Sequence, residues 1–584
     1  MNAMRLLGTA TSFFLMAALS CTSPEAGTGF ADLILTNGRV YTLDWGEPGP
    51  QGDPAPDAPF DAETGWRPDA EAVAVRGGEI VFVGSAAGSE SLRGPETKVM
   101  DLAGATVIPG LIESHVHLVQ LGEFLSQIDL VDIETEEEAV RLAQEMAAGT
   151  PPGTWVLGSG WDEGAWADRY PTMELLSEAV PDHPVYLRGL HGFAGWGNRM
   201  AFEIAGITPE TRDPSGGQLI RDEQGRPSGV LLNRAILLLE EHIPTPSVEQ
   251  TMGHVLAGLE VMAESGYTSI HEAGSNRRYQ EAFERLEEEG RLPLRVYSML
   301  AARDPELCEE WIPKGPDTDT ESMLRTMSVK AFYDAALGSR GARMIDDYSD
   351  MPGHRGTSGA DYGFDQELVA RMIKAGFQAE VHAIGDAGNR ETLDFFERVL
   401  SEFPDGAAQR HKIVHAQVVH PDDFQRFRDL GIAASMQPPH VAEDMDWAEA
   451  RVGQERIKGA YAWRTMRETG VRLLLNSDLP GSDWDIFYGL HSAITRRDKD
   501  RQPTDGWYQE QAFTPEEAVR GYTAWGAWAE FLEEETGIIR EGMRGDLTVL
   551  RIDPFVVGTN SPGNLFGGEI LATVVGGKVV FEKN

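Results

Sequence analysis

Residues 111–117 read Leu111-Ile112-Glu113-Ser114-His115-Val116-His117, a short apolar run of strand character that ends in two imidazoles. Seven more β-rich runs follow: Gly266 to Glu272, Leu294 to Leu300, Ser328 to Asp334, Phe377 to His382, Lys412 to Ala416, Ile432 to Gln437 and Val471 to Asp478. Between most of them lie charged segments of helical periodicity, such as Gln280 to Glu289 and Leu393 to Phe403. Eight alternations of strand and helix predict an α/β fold, a (β/α)8 TIM barrel over about residues 109–537. The first interval, Leu118 to Ser265, is too long for one helix and holds β-rich runs of its own at Trp155 to Gly158, Val185 to Leu190 and Gly229 to Leu232. These predict an insertion after strand one, at about residues 145–250, that caps the barrel mouth.

Outward from the barrel the texture changes. Ala31 to Leu43 alternates in the strand manner around Asn37-Gly38, and Ala72 to Val83 does so around Arg76-Gly77-Gly78. Between them the Pro/Gly/Asp-rich stretch Trp45 to Pro68 reads as a long acidic surface loop. The same β texture returns at Asp546 to Ile552 and Leu571 to Phe581. Neither end can close a sandwich alone, so residues 29–108 and 538–584 are expected to build one small β-sandwich together.

At the start of the chain Arg5 precedes the apolar run Leu6 to Leu19, which is too short to span a bilayer. It ends in Ala18-Leu19-Ser20-Cys21 and resembles a bacterial lipoprotein signal peptide, residues 1–20, with Cys21 as the lipidated residue. The expectation is an exported protein, a periplasmic or cell-surface lipoprotein that meets the membrane only through this lipid anchor. With Cys21 lipidated, Cys308 has no partner, so intramolecular disulfides and cysteine-based zinc sites are excluded.

Acidic residues number 93 against 50 basic ones, a net charge of −43, which excludes nucleic acid as a partner. The basic set is lopsided, with nine lysines to 41 arginines and no lysine from Val99 to Pro313. A lysine inside a predicted barrel strand therefore calls for a reason.

Barrel active sites gather at the C-terminal ends of the strands. His115 and His117, two apart on a strand, face one point. His382 and His415 fall at the ends of strands five and six, and each taken alone is more often a hydrogen-bonded core histidine than a ligand. Asp478 closes the apolar strand eight, where a carboxylate is costly unless it is paired or metal-bound. Five such residues at five such positions point to a metal site. Lys330, in Ser328-Val329-Lys330-Ala331-Phe332, adds an amine on strand four. Lysine, unlike arginine, can lose its proton and add carbon dioxide, and the resulting carbamate is an anionic oxygen donor able to bridge two metals. The alternative is a buried ion pair with Asp334. Candidate substrate contacts are Trp161, Trp196, Arg340, Trp463, Arg464 and Trp484, with Arg340 placed either to clamp a carboxylate or carbonyl or equally to bridge an acidic neighbour.

Five segments together are similar to the amidohydrolase superfamily, in its amidohydrolase-3 branch, which includes N-substituted formamide deformylase. They are Val107 to Leu118 (Val-Ile-Pro-Gly-Leu-Ile-Glu-Ser-His-Val-His-Leu), Val329 to Arg340, His382-Ala383-Ile384-Gly385-Asp386, Lys412 to Gln417 and Asn476-Ser477-Asp478-Leu479-Pro480, and Gly537 to Leu550 resembles the family's return into its β domain. The resemblance implies two divalent metal ions, zinc by default with Mn, Fe or Co as alternatives. His115, His117 and Asp478 would hold one, His382 and His415 the other, and carboxylated Lys330 would bridge them. It further implies a metal-bridging hydroxide that attacks the carbonyl of a small amide-type substrate, an N-substituted formamide or N-acyl compound, while Asp478 carries the proton to the leaving nitrogen. Homo-oligomers are common in that family. A deaminase or a lactone or carbamate hydrolase on the same scaffold, and a non-catalytic ligand-binding lipoprotein, are the other readings. Two insertion segments depart from the family pattern: His191-Gly192-Phe193-Ala194, and Asn233 where an acidic residue is common.

Overall fold

The computed structural model describes residues 29–131, 133–161, 170–189 and 194–583. The expected signal peptide and Cys21 lie outside them, and so do His191 and Phe193. No helix among the described residues is long and apolar enough to cross a membrane.

Eight parallel strands form one sheet, hydrogen-bonded in chain order. The first to eighth barrel strands are Leu111–Val116, Tyr267–Ser275, Arg295–Ala301, Leu324–Phe332, Gln378–Ala383, Lys412–His415, Ala433–Met436 and Leu473–Leu475. Each overlaps one of the eight runs read from the sequence. The runs are continuous rather than alternating because both faces are covered, and the first, sixth, seventh and eighth strands are buried at every residue.

The seam between the eighth and first strands carries no ladder among the described residues and is stitched by other means. Ile112 N–H donates to the Tyr522 carbonyl (2.7 Å) and His117 N–H to the Leu479 carbonyl (2.8 Å). Ser114 Oγ donates to the Leu475 carbonyl (3.0 Å), and Ser477 N–H donates to Glu113 Oε1 (2.8 Å). Burial pushes the Glu113 carboxyl up to about 8, the direction expected of an acid taken into the core.

Both ends of the chain meet in two small sheets. A four-stranded sheet runs Glu79–Gly84, Ala72–Arg76, Leu33–Thr36, Lys98–Asp101. A five-stranded sheet runs Arg39–Val40, Thr106–Pro109, Leu547–Leu550, Ile570–Val575, Lys578–Glu582. Thr106–Pro109 pairs antiparallel with Leu547–Leu550, so N- and C-terminal segments share one sheet. Leu35, Val73, Val75, Val107, Val549 and Val574 form a common core between the sheets. Arg295 of the third barrel strand forks onto Asp546 (2.7 and 3.1 Å), and Asp546 also accepts Gly576 N–H at 2.7 Å, which ties barrel to sandwich.

The insertion is a six-stranded mixed sheet, in order Ile128–Asp129, Val156–Trp161, Val185–Gly189, Ala194–Gly197, Pro227–Asn233, Gly217–Arg221. It holds the three runs read from the sequence; Ala194–Gly197 and Gly217–Arg221 escape that reading because glycine and polar residues dilute their pattern. The helix Val248–Glu264 then leads back to the second strand, its start fixed by a Ser247/Gln250 capping box. The acidic stretch 45–68 is more than a surface loop: it carries a short hairpin, Phe60–Asp61 with Gly65–Trp66, and Trp45 and Trp66 are buried in the main core. Trp45 Nε1 donates to Glu516 Oε1 at 2.7 Å.

Candidate metal centre

The first strand ends at Val116, and His117 opens the helix Leu118–Leu125. The turn is held by Glu272, at the end of the second predicted run, whose Oε2 accepts Leu118 N–H at 2.7 Å. Burial pushes Glu272 up to about 7, while His117 and the backbone N–H groups of Leu118 and Val119 pull against that rise. His115 Nε2 and His117 Nε2 each stand 3.5 Å from Asp478 Oδ1. One ligand atom from each of the three lies within 4.8 Å of the others, and they are the one group of this kind among the described residues.

His382 and His415 face each other with ring centroids 4.4 Å apart at 70°, and His415 stands 6.3 Å from the His115 ring. His415 is oriented from behind: its Nδ1 lies 3.0 Å from Gln437 Oε1, Gln437 Nε2 donates to Asn476 Oδ1 (2.8 Å), and Asn476 Nδ2 donates to Ser435 Oγ (2.9 Å). An acceptor at Nδ1 leaves Nε2 as the lone-pair nitrogen, as a metal ligand requires. His415 and Asp478 both hold positive φ, +74° and +58°, a conformation costly for residues with a Cβ and typical of functional sites.

Lys330 is buried, with Nζ 2.8 Å from His115 Nε2. Burial brings its amine down to about 8, against the pull of Asp478 and Glu380. The fourth, fifth and sixth strands set Lys330, Glu380 and Lys412 side by side in register. Lys412 is neutralised by Glu380 at 2.8 Å, whereas Lys330 is left to His115. Geometry thus separates two equally buried lysines. The Lys330–Asp334 ion pair considered from sequence does not form: Asp334 accepts N–H groups of Arg343 (2.8 Å), Ile384 (2.9 Å) and Gly385 (2.9 Å).

The electrostatics favour a cation. Burial, with Lys330 beside it, holds His115 well below the ordinary imidazole value; burial, with His415 and Lys330, does the same for His382; burial brings His415 down to about 3. Burial alone would raise Asp478, but the imidazoles of His117, His415 and His115 around it hold it well below the usual carboxylate range. Neutral imidazoles around a carboxylate are the protonation state a divalent metal binds. Buried Asp478 Oδ1 and His382 Nε2 have no hydrogen-bond partner among the described residues, which is expensive unless a cation completes them. The residues present therefore fit a divalent metal.

The substrate contacts read from sequence are scattered. Trp161 and Trp196 are fully buried in the insertion's own core, their indole N–H groups donating to the carbonyls of Leu187 (2.8 Å) and Thr172 (2.9 Å). Arg340 forks onto Asp350 (3.1 and 2.8 Å), and Arg464 onto Glu517 (2.7 and 2.6 Å). Trp463 is buried, stacked 5.2 Å from Phe513, and borders a cavity of about 10 Å³ shared with His415, His440, Gln437 and Tyr461. Trp484 is half-buried, and its carbonyl accepts the Tyr267 hydroxyl at 3.1 Å. Sequence reasoning passed over Glu272, although the argument that found Asp478, a carboxylate closing an apolar strand, applies to it unchanged. It also passed over His440, which lies parallel to His415 at 5.9 Å on the helix after the seventh strand.

A model of the amidohydrolase family matches residues 98–581. The Bacillus subtilis (strain 168) protein YtcJ is 30% identical over 525 residues, 88% of this chain and 96% of its own length. N-substituted formamide deformylase of Arthrobacter pascens is 28% identical over 531 residues, 88% of this chain and 95% of that enzyme. Among solved structures, an uncharacterized metal-dependent hydrolase from Pyrococcus furiosus superposes with a TM-score of 0.70 at 25% identity, over 90% of this chain and 99% of its own.

Proposed function

The chain belongs to the amidohydrolase family and is a metal-dependent hydrolase; on that footing we propose that it cleaves the carbon–nitrogen bond of an amide, an N-substituted formamide or N-acyl compound. The observation that carries this reading is the convergence of His115 Nε2, His117 Nε2 and Asp478 Oδ1. In the proposed centre these three would hold one divalent cation, zinc by default, His382 and His415 would hold a second, and carboxylated Lys330 would supply an anionic oxygen ligand. Such cations supply Lewis acidity, which polarises a carbonyl and makes water a nucleophile at neutral pH.

The chain's own residues supply the rest. The Gln437–Asn476–Ser435 relay keeps Nε2 of His415 turned to the centre. The Lys330 amine, brought down to about 8, is in part uncharged near neutral pH, and the free amine is the form that adds carbon dioxide: a nitrogen–carbon bond forms and a proton leaves. Asp478, ionised across the neutral range, accepts the proton of the attacking water and hands it to the leaving nitrogen.

Metal analysis of the purified protein beside Lys330→Ala tests the bridge, with lower metal content and lost activity expected in the variant. Unchanged metal and activity would defeat it. Turnover of formamides, N-acyl amino acids, cyclic ureas and lactones tests the substrate, and cleavage of lactones alone would defeat the amide reading.

A further inference from the structure

Arg303 lies two residues beyond the third barrel strand, at the end where the ligands gather, and its neighbour Ala302 donates N–H to the Lys330 carbonyl at 2.9 Å. Its guanidinium carbon is 4.2 Å from the Phe332 ring centroid and 5.4 Å from that of Tyr362. Phe332 also faces Lys330 Nζ at 5.0 Å and the His382 ring at 5.3 Å. Arg303 thus shares one aromatic neighbour, Phe332, with two candidate ligands.

The side chain is exposed and makes no hydrogen bond or ion pair among the described residues. The adjacent carboxylate does not serve it: Asp304 accepts Arg277 N–H (2.9 Å) and Leu307 N–H (3.2 Å). Acidic residues outnumber basic ones 93 to 50, so a guanidinium kept off carboxylates at the reaction centre stands out. Cation–π contact with two rings holds the guanidinium in place while its N–H groups keep no hydrogen-bond partner among the described residues, and such free donors suit bidentate carboxylate recognition. A chain of net charge −43 repels anions at long range, so an anionic substrate needs a short-range cation of this kind.

We propose that Arg303 binds a carboxylate carried by the substrate, so that the amides cleaved at this centre are anionic, of the N-acyl amino acid type. This rests on the amide hydrolase reading above and assigns to Arg303 the role that sequence reasoning gave to Arg340, whose guanidinium is already taken by Asp350.

The test uses two formamides that differ only in the carboxylate, N-formyl-phenylalanine and N-(2-phenylethyl)formamide, with metal-loaded wild type, Arg303→Gln and Arg303→Lys. Wild type should favour the anionic compound in kcat/KM. Arg303→Gln should collapse that preference by about 10- to 100-fold, mainly through KM, the range of a lost charged hydrogen bond. Arg303→Lys should restore part of it, and metal content should match wild type in all three. Equal turnover of both compounds by wild type, or an equal loss on both in Arg303→Gln, overturns the inference. Calorimetric titration of the metal-loaded proteins with N-methanesulfonyl-phenylalanine, which has no scissile carbonyl, reads the contact apart from turnover. Weaker binding to Arg303→Gln supports the contact, and equal affinity overturns it. If neither formamide is hydrolysed while binding still depends on Arg303, the amide reading falls and the carboxylate contact stands.

Discussion

Replacing Asp334 by Asn should loosen the frame that carries His382. Asp334 Oδ2 accepts the N–H groups of Arg343 and Gly385, Oδ1 accepts that of Ile384, and Oδ1 lies 3.8 Å from His382 Nε2. One fully buried carboxylate thus ties the loop after the fourth strand to the loop after the fifth. An asparagine whose oxygen stays with Arg343 and Gly385 turns its NH2 onto the Ile384 N–H. One buried donor loses its acceptor, at about 1–3 kcal/mol, and the other two exchange a charged acceptor for a neutral one at about 1 kcal/mol each. Burial already holds the Asp334 carboxyl up at about 7, so part of that loss is offset by removing an acid that the core disfavours. The net expectation is about 2–3 kcal/mol of stability, read as a lower urea midpoint at unchanged m-value. Displacing His382 should also lower metal occupancy and reduce kcat by about tenfold or more, since shifts on the order of an ångström in a reacting group carry penalties of up to about a hundredfold. Stability within about 0.5 kcal/mol of wild type together with full metal content would refute the idea that Asp334 positions the site.

Other consequences are as readily checked. Asp478→Asn should lower kcat by about 100-fold or more, measured after loading both proteins to equal metal content, because a general acid–base group is worth about that much. Asp546→Ala leaves Arg295 buried without its partner and should destabilise by about 3–5 kcal/mol in urea denaturation; the double variant Arg295→Met/Asp546→Leu should lose less than this single one, because it strands no charge. His411 accepts Ala379 N–H through Nδ1 at 3.0 Å, and burial brings its imidazole down to about 3. Its folded value lies below the unfolded one of about 6.5, so stability is complete above that pH and falls as the unfolded chain takes up the proton, by about 2 kcal/mol between pH 7 and 5. In His411→Asn that part of the acid slope should vanish from denaturation midpoints measured across the range.

The barrel is legible in the sequence because each strand is covered on both sides, which turns it into a short apolar run, and because the candidate histidines and Asp478 sit where those runs stop. The seam is not legible. Its closure depends on the Tyr522 carbonyl and the Glu113 carboxylate, contacts that no periodicity encodes. The candidate ligands could be named because histidine and aspartate at strand ends are chemically conspicuous. Arg303 could not, since nothing in Ala302-Arg303-Asp304 distinguishes it from the many surface arginines; only the rings of Phe332 and Tyr362 do. The tryptophans picked from sequence show the converse. Large apolar rings fill cores more often than pockets, and Trp161, Trp196 and Trp463 are fully buried.

The pairing of Thr106–Pro109 with Leu547–Leu550 has a consequence for the order in which the molecule can be made. Through the synthesis of the whole barrel, the edge of that early strand waits for a partner that has not yet been polymerised. An open edge is an invitation to other chains. A chain that ends between residues 109 and 547 exposes this edge together with the apolar faces of Val107 and Val75. Chains that lack the later strand should therefore aggregate more readily than chains that carry it.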